Sequence, residues 1–146
     1  MIEISDIRAG WANLHIGNYM FCVSYLSDIV YELNRLFNIN IFESKKVILE
    51  GEDKGDLTLV AYITFGNIND LLPMSKQHDN DYGNILNIIC QDNNNTNIIK
   101  YPYKEFMEEY KQMKAIIKPN YIKNFLCPQN EEEYKYFEEH YNDWER

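Results

Sequence analysis

The first part of this chain constrains its fold most strongly, because strand-like runs and tight turns follow one another there without a gap. Apolar residues alternate with polar ones over residues 2–7 and 11–16, and a third apolar run occupies residues 19–25. Gly17-Asn18 separates the last two runs as a two-residue turn of the kind that closes hairpins. The pattern predicts a three-stranded antiparallel meander.

A helix is predicted directly after these strands, because the apolar spacing lengthens there to about 3.6 residues. Ser27 is expected to be its N-cap, and Asp28 lies where a negative charge favours the helix dipole. The apolar stripe of this helix consists of Ile29, Val30, Leu33, Leu36 and Phe37.

The remaining sequence predicts further strands and then helices. Strand-like runs occupy residues 47–49, 57–65, 85–90 and 98–99. Helical spacing begins near Pro102 and is expected to stop at Pro119, with one or two further turns over residues 121–126. Asn130 and Glu133 then have the spacing of a capping box in front of a last helix.

This order of elements predicts one α+β domain over residues 1–146. The domain would begin with an N-terminal meander, continue through a helix and add a further hairpin to a mainly antiparallel sheet. The C-terminal helices would cover this sheet. With 45% apolar and 14% aromatic residues, the chain has ample material for a packed core. The residues expected in that core, one from each of several elements, are Trp11, Phe21, Leu33, Val60 and Phe137.

The charge balance favours some partners over others. There are 23 acidic and 14 basic residues, which gives a formal net charge of −9. Such a charge repels phosphate backbones and anionic lipid headgroups, so we expect neither nucleic acid nor membrane as a partner. A basic protein surface would be attracted.

Cysteine usage and the N-terminus predict a cytoplasmic protein. Cys22, Cys90 and Cys127 are an odd number of widely separated thiols, which disfavours a disulfide framework and a CxxC site. We expect them to be buried and reduced. The chain begins with no basic region ahead of an apolar segment, and no apolar run approaches the length of about 18 residues that predicts a membrane span.

Two groups of residues are predicted to bind a partner protein. The loop over residues 50–56 is the densest acidic stretch, and its carboxylates on a hairpin tip could meet Lys or Arg of a partner. The same charges could equally keep a strand edge in solution. Tyr103 and Tyr136 are the tyrosines of the C-terminal third that we expect to be exposed. The acidic candidates are Glu50, Glu52, Asp53 and Asp56.

Catalytic chemistry has one candidate in the sequence. His78, Asp79 and Asp81 share a polar loop and could form a metal or acid–base site, although such loops are usually only solvated. No GxSxG, HExxH, P-loop or GxGxxG motif is present. We therefore expect a protein that is not an enzyme and needs no cofactor, with the loop enzyme or metal-binding protein as the alternative.

Residues 11–37 resemble a family of small bacterial immunity proteins of polymorphic toxin systems. The resemblance rests on the early Trp11, the Leu14-His15-Ile16 strand, the junction from Ser24 to Asp28 and the apolar helix behind it, and it extends loosely over about the first 65 residues. It implies a protein that binds and neutralises a cognate toxin domain. It carries over no functional residue, because the matched positions belong to the scaffold. A self-associating structural protein is the third hypothesis.

Overall fold

The computed structural model describes residues 1–51, 55–71 and 82–145, whose strands form two antiparallel sheets. The first sheet has the order β1-β2-β3 and the second the order β4-β5-β6-β7. The strands are β1 Ile2–Arg8, β2 Trp11–Ile16, β3 Tyr19–Ser24, β4 Ser44–Glu50, β5 Asp56–Asn67, β6 Tyr82–Gln91 and β7 Thr96–Pro102. The helices are α1 Ile29–Phe37, α2 Tyr103–Asn120 and α3 Glu131–Glu139, with a 3₁₀ turn at Asn69–Leu71 and a π-helix at Tyr121–Leu126. The α+β class with antiparallel sheets is confirmed.

The two sheets and the helices share one cluster of buried side chains. Helix α1 packs on β4 and β5, and α2 packs on β1, β6 and β7. Because a strand pair with a helix against one face buries only alternate residues, each sheet has one face in the core.

The cap of α1 differs from the prediction. Asp28, and not Ser27, is the N-cap, and its Oδ1 accepts from the backbone N–H of Tyr31 at 3.2 Å. The hydroxyl of Tyr121 donates to the same carboxylate oxygen at 2.7 Å and accepts from the N–H of Val30 at 3.2 Å. Ser27 instead accepts from the N–H of Glu50 at 2.8 Å, which ties the start of α1 to the end of β4.

Helix α2 ends at Asn120, one residue beyond the predicted stop at Pro119, and the further turns predicted over residues 121–126 form the π-helix. Proline lacks an N–H and crowds the carbonyl four residues earlier, so it normally interrupts a helix. Here the N–H of Tyr121 donates to the carbonyls of Ile117 and Lys118, and the chain continues into the π-helix. Tyr121 and Phe125 are fully buried and stack at 4.9 Å, so tertiary packing holds this turn in place.

The predicted core is only partly correct. Phe21 and Leu33 are buried, but Trp11, Val60 and Phe137 are half-buried. Val60 occupies a position on β5 whose side chain points away from the helices, as described below. The prediction of buried thiols holds for Cys90 alone, since Cys22 and Cys127 are exposed.

A buried amide fastens the chain beyond α3 to the body of the protein. Asn34 of α1 donates through Nδ2 to the carbonyls of Tyr141 and Asp143, both at 3.0 Å. Its Oδ1 accepts from the hydroxyl of Tyr110 at 2.7 Å and from Nζ of Lys114 at 2.9 Å. One amide thereby joins α1, α2 and the C-terminal segment. Both of its N–H hydrogens and both lone pairs of its oxygen are hydrogen-bonded.

Lys114 occupies an unusual position for a lysine, because it is only 9% exposed. Its ammonium lies 5.0 Å from the centre of the Tyr110 ring and 3.0 Å from Oδ1 of Asn142. Burial, and secondarily the charge of Lys111, lowers the pKa of Lys114. Within the described part of the chain Lys114 has no ion-pair partner, so oxygen acceptors and aromatic faces stabilise its ammonium.

The helix–sheet contact predicts a large contrast between two leucines. Leu33 is fully buried and Leu26 is 65% exposed, so Leu33→Ala should lower the free energy of unfolding by about 2–5 kcal/mol, while Leu26→Ala should change it by about 0.5 kcal/mol or less. Urea denaturation monitored by circular dichroism measures both. Equal midpoints for the two variants would contradict the assigned face of α1.

The buried amide predicts a second contrast. Asn34→Ala should cost about 2–4 kcal/mol, because it removes the acceptor of a buried ammonium and a buried hydroxyl together. Lys114→Met keeps the aliphatic stem, leaves Asn34 bonded to Tyr110 and removes a charge that burial disfavours. It should cost less than about 1.5 kcal/mol. Urea denaturation compares the losses of unfolding free energy of the two variants. A larger loss for Lys114→Met than for Asn34→Ala would show that the ammonium, and not the amide, contributes most to stability.

Candidate functional site

The second sheet has one face against the helices and one face away from them. Along β5, the buried residues are Leu57, Leu59, Ala61 and Ile63. The residues between them point to the opposite face because side chains alternate along a strand. We call this opposite side the open sheet face. Its members are Ser44, Lys46, Ile48 and Glu50 of β4, Asp56, Thr58, Val60, Tyr62 and Thr64 of β5, Ile85, Asn87, Ile89 and Gln91 of β6, and Thr96, Ile98 and Lys100 of β7.

A row of apolar side chains crosses the open sheet face. Val60 pairs with Ile89, and Ile89 pairs with Ile98, so these three residues are direct cross-strand neighbours. We call them the apolar row. Ile98 is 60% exposed, and Ile48 on the neighbouring position of β4 is 48% exposed. Val60 and Ile89 are half-buried, so the row becomes more exposed toward β7. Neighbouring β-branched residues that are partly exposed form an apolar patch, a feature of protein-binding surfaces.

Carboxylates lie at one end of this face. Glu50 and Asp56 are directly paired across the β4–β5 hairpin, the former half-buried and the latter exposed. Like charges placed opposite each other on neighbouring strands repel and cost stability. Neither carboxylate forms an ion pair within the described residues. A cation from outside the described part of the chain would relieve this repulsion.

Two lysines lie on the same face, on its two edge strands. Lys46 on β4 is the cross-strand partner of Val60, so it lies at one end of the apolar row. Lys100 on β7 follows Ile98 by two residues and therefore lies on the same face. Both are exposed, and no acidic residue of the described ranges pairs with either. The face therefore has an apolar centre with charges around it, the arrangement usual in protein interfaces.

A groove of about 1200 Å³ adjoins the open sheet face at β7. Its walls are the outer side of β2 and β3, the β6–β7 turn and β7 itself, and it contains Trp11, Met20 and Cys22. Met20 is 53% exposed and Cys22 is also exposed. The groove exceeds the usual volume of a small-molecule pocket, about 300–1,000 Å³, and has the size for a segment of polypeptide.

A hydrogen bond between Tyr19 and Asp92 fixes one wall of the groove to the other. The Tyr19 hydroxyl on β3 donates to Oδ2 of Asp92 at 2.5 Å, and Oδ1 of Asp92 accepts from the N–H groups of Asn94 and Asn95. Burial, the hydrogen bond and the negative charge of Asp92 all raise the pKa of Tyr19. The bond therefore links the first sheet to the β6–β7 turn.

The predicted tyrosines lie away from the open sheet face. The Tyr103 side chain, expected to be exposed, is half-buried, and its hydroxyl donates to the carbonyl of Phe37 at 3.1 Å. Burial raises its pKa. Tyr136 on α3 is 52% exposed and lies beside the ring of His140 at 4.3 Å. Tyr103 thus connects α2 to α1, whereas Tyr136 offers a surface on the helical side.

Several predicted site residues lie outside the described residues. They are Glu52 and Asp53 of the acidic hairpin and His78, Asp79 and Asp81 of the enzyme alternative. Both predictions for these residues stay open. Across residues 1–51, 55–71 and 82–145, no group of three or more His, Cys, Asp and Glu side chains is arranged to hold a metal ion.

Comparison of the chain with protein-family models, curated proteins and solved structures gives no match. None of the described helices combines the length and the apolar character that crossing a membrane requires. The candidate site therefore rests on the geometry of the open sheet face and of the groove.

Sequence reasoning found the acidic end of the face but missed the apolar row. Residues 57–65 contain apolar side chains on both faces, so their pattern predicts Val60 in the core. Runs with apolar residues at consecutive positions indicate a strand without telling which face is covered. The one sequence signal of an edge strand is Lys100 close to the β-branched Ile98 in a short final strand. In the structure Ile98 is exposed.

The Tyr19–Asp92 bond predicts a pH-dependent contribution to stability. Because the folded state raises the pKa of Tyr19 above its value near 10, the bond stabilises fully below about pH 10, and this stabilisation is lost as pH rises further. The difference in unfolding free energy between the wild type and Tyr19→Phe should thus be constant from pH 7 to 9 and shrink above about pH 10. Urea midpoints at each pH measure it, and the other tyrosines cancel in the difference. A difference that grew with pH would contradict the sign.

Proposed function

We propose that this protein is a binding protein that captures a basic protein partner on its open sheet face, acting as an immunity protein that neutralises a toxin. The observation that carries the proposal is the partly exposed apolar row with paired carboxylates at one end of the face. Apolar contacts would supply affinity, and the carboxylates would speed association and orient the partner.

The charge of the chain supports a basic partner. With a net charge of −9, the protein attracts cationic surfaces over distances of roughly a Debye length, about 8–10 Å at physiological salt. Glu50 and Asp56 are direct cross-strand partners, an arrangement in which like charges repel. A lysine or arginine of the partner placed between them would replace that repulsion by two attractions.

The sequence resemblance points in the same direction. Residues 11–37 resemble immunity proteins of polymorphic toxin systems, whose members act by binding and blocking a toxin domain. In this chain the matched positions form β2, β3 and α1, which are scaffold. The contact residues proposed here belong to the other sheet, together with Glu52 and Asp53 of the acidic hairpin.

The test uses the toxin domain encoded beside this gene and two charge reversals. Asp56→Lys, at an exposed position, should slow association with the toxin at low salt and reduce protection when both proteins are co-expressed. Glu108→Lys makes the same charge change at an exposed position of α2 and should leave both nearly unchanged. Surface plasmon resonance at two salt concentrations measures the rates, and the difference between the variants should diminish at high salt.

Other outcomes would move or remove the interface. If Asp56→Lys has no effect while Tyr136→Ala abolishes protection, the partner binds on the helical side. Equal losses for Asp56→Lys and Glu108→Lys would show attraction by the net charge alone. If the adjacent gene product does not bind the wild-type protein, the immunity function is wrong.

A further inference from the structure

We propose that two copies of this chain pair along the outer edge of β7 and join their second sheets into one continuous antiparallel sheet. Strand β7 ends the order β4-β5-β6-β7, and no strand of the described residues pairs with its other side. Residues 97–101 all line the groove beside it. Because consecutive side chains point to opposite faces, a wall made of consecutive residues is the edge of the strand itself.

Alternate residues of β7 direct their backbone N–H and C=O groups either toward β6 or toward the outer edge. One hydrogen bond identifies which residues belong to each set. The N–H of Asp92 donates to the carbonyl of Asn95 at 3.0 Å, so these residues close the β6–β7 turn as a hydrogen-bonded pair. Such pairs alternate along an antiparallel ladder, which assigns Asn97 and Ile99 to bonds with β6. Ile98 and its alternate neighbours then direct their N–H and C=O groups away from β6.

The position of proline agrees with this assignment. Pro102 belongs to the same alternate set as Ile98, and a proline in a strand is tolerated where its missing N–H would face outward. The groups presented at the edge are the N–H and C=O of Thr96, Ile98 and Lys100.

A second copy complements this edge in one register. If two β7 strands run antiparallel with Ile98 on the two-fold axis, Ile98 exchanges both hydrogen bonds with Ile98 of the second copy. Thr96 of each copy then pairs with Lys100 of the other. Every outward N–H of these residues meets a carbonyl, and no like charges lie directly opposite each other. The interface is isologous, as closed two-fold dimers require.

The side chains favour the same register. On the open sheet face, Ile98 of one copy would lie beside Ile98 of the other, so the two apolar rows would form one line across both sheets. Ile98 is 60% exposed in the single chain, and an exposed apolar edge strand is a template for pairing with another chain. The dimer contact uses the edge of β7 and leaves the open sheet face as it is in the single chain, so this inference does not depend on the proposed function.

Sedimentation velocity over a concentration series tests the dimer with two matched variants. Ile98→Lys places two ammonium groups together on the two-fold axis and should raise the concentration needed for dimerisation about tenfold or more. Ile48→Lys makes the same change on the same face at the opposite edge strand, where it is 48% exposed, and should alter it by less than about twofold. Higher salt should favour the wild-type dimer, because each copy carries a net charge of −9.

Amide hydrogen exchange by NMR tests the register without any substitution. The N–H of Ile98 should exchange more slowly as protein concentration rises, whereas the N–H of Ile99, already bonded to β6, should not change. A wild-type protein that sediments as a monomer throughout the series would overturn the proposal. Equal weakening by the two lysine variants, or no concentration dependence at Ile98, would also overturn it.

Discussion

The alternation of side chains along β5 is the constraint on which the rest of this structure depends. β5 pairs with β4 on one side and with β6 on the other, so its register is fixed twice. A shift by one residue would exchange Leu59 for Val60 in the core and reverse both faces of the sheet. The helices can cover only one of these faces, and the open sheet face follows directly from that choice.

The buried amide of Asn34 has a comparable role on the helical side. It joins α1 and α2 to the segment beyond α3 and adds directional bonds to the apolar contacts that Tyr141 makes in the core. Polar groups in a core specify a unique arrangement because any other one would leave them without partners. In this protein, apolar packing sets the sheets, and hydrogen-bond directionality sets the C-terminal segment.

Several predictions that rest on residues close together in the sequence agree with the structure. The meander, the N-cap at Asn130 and the β4–β5 hairpin all depend on residues close together in the chain, and the structure has each of them at the predicted position. Glu52 and Asp53 of that hairpin lie outside the described residues. The predictions that were wrong depend on distant contacts. Asp28, and not Ser27, caps α1, and its carboxylate also accepts a hydrogen bond from Tyr121, 93 residues away. Likewise, only the pairing of separate strands brings Val60, Ile89 and Ile98 into one row, so no single stretch of sequence could have predicted that surface.

The distribution of charge on the open sheet face has a directional consequence. Carboxylates occupy the hairpin end, and lysines lie further along both edge strands, so the face has an electrostatic polarity along its strands. An apolar row by itself would accept a docked molecule equally well after a half-turn about the sheet normal. This polarity makes the two orientations unequal in energy. In the complex proposed above, the charges would therefore select the orientation, and the apolar contacts would need no asymmetric shape of their own.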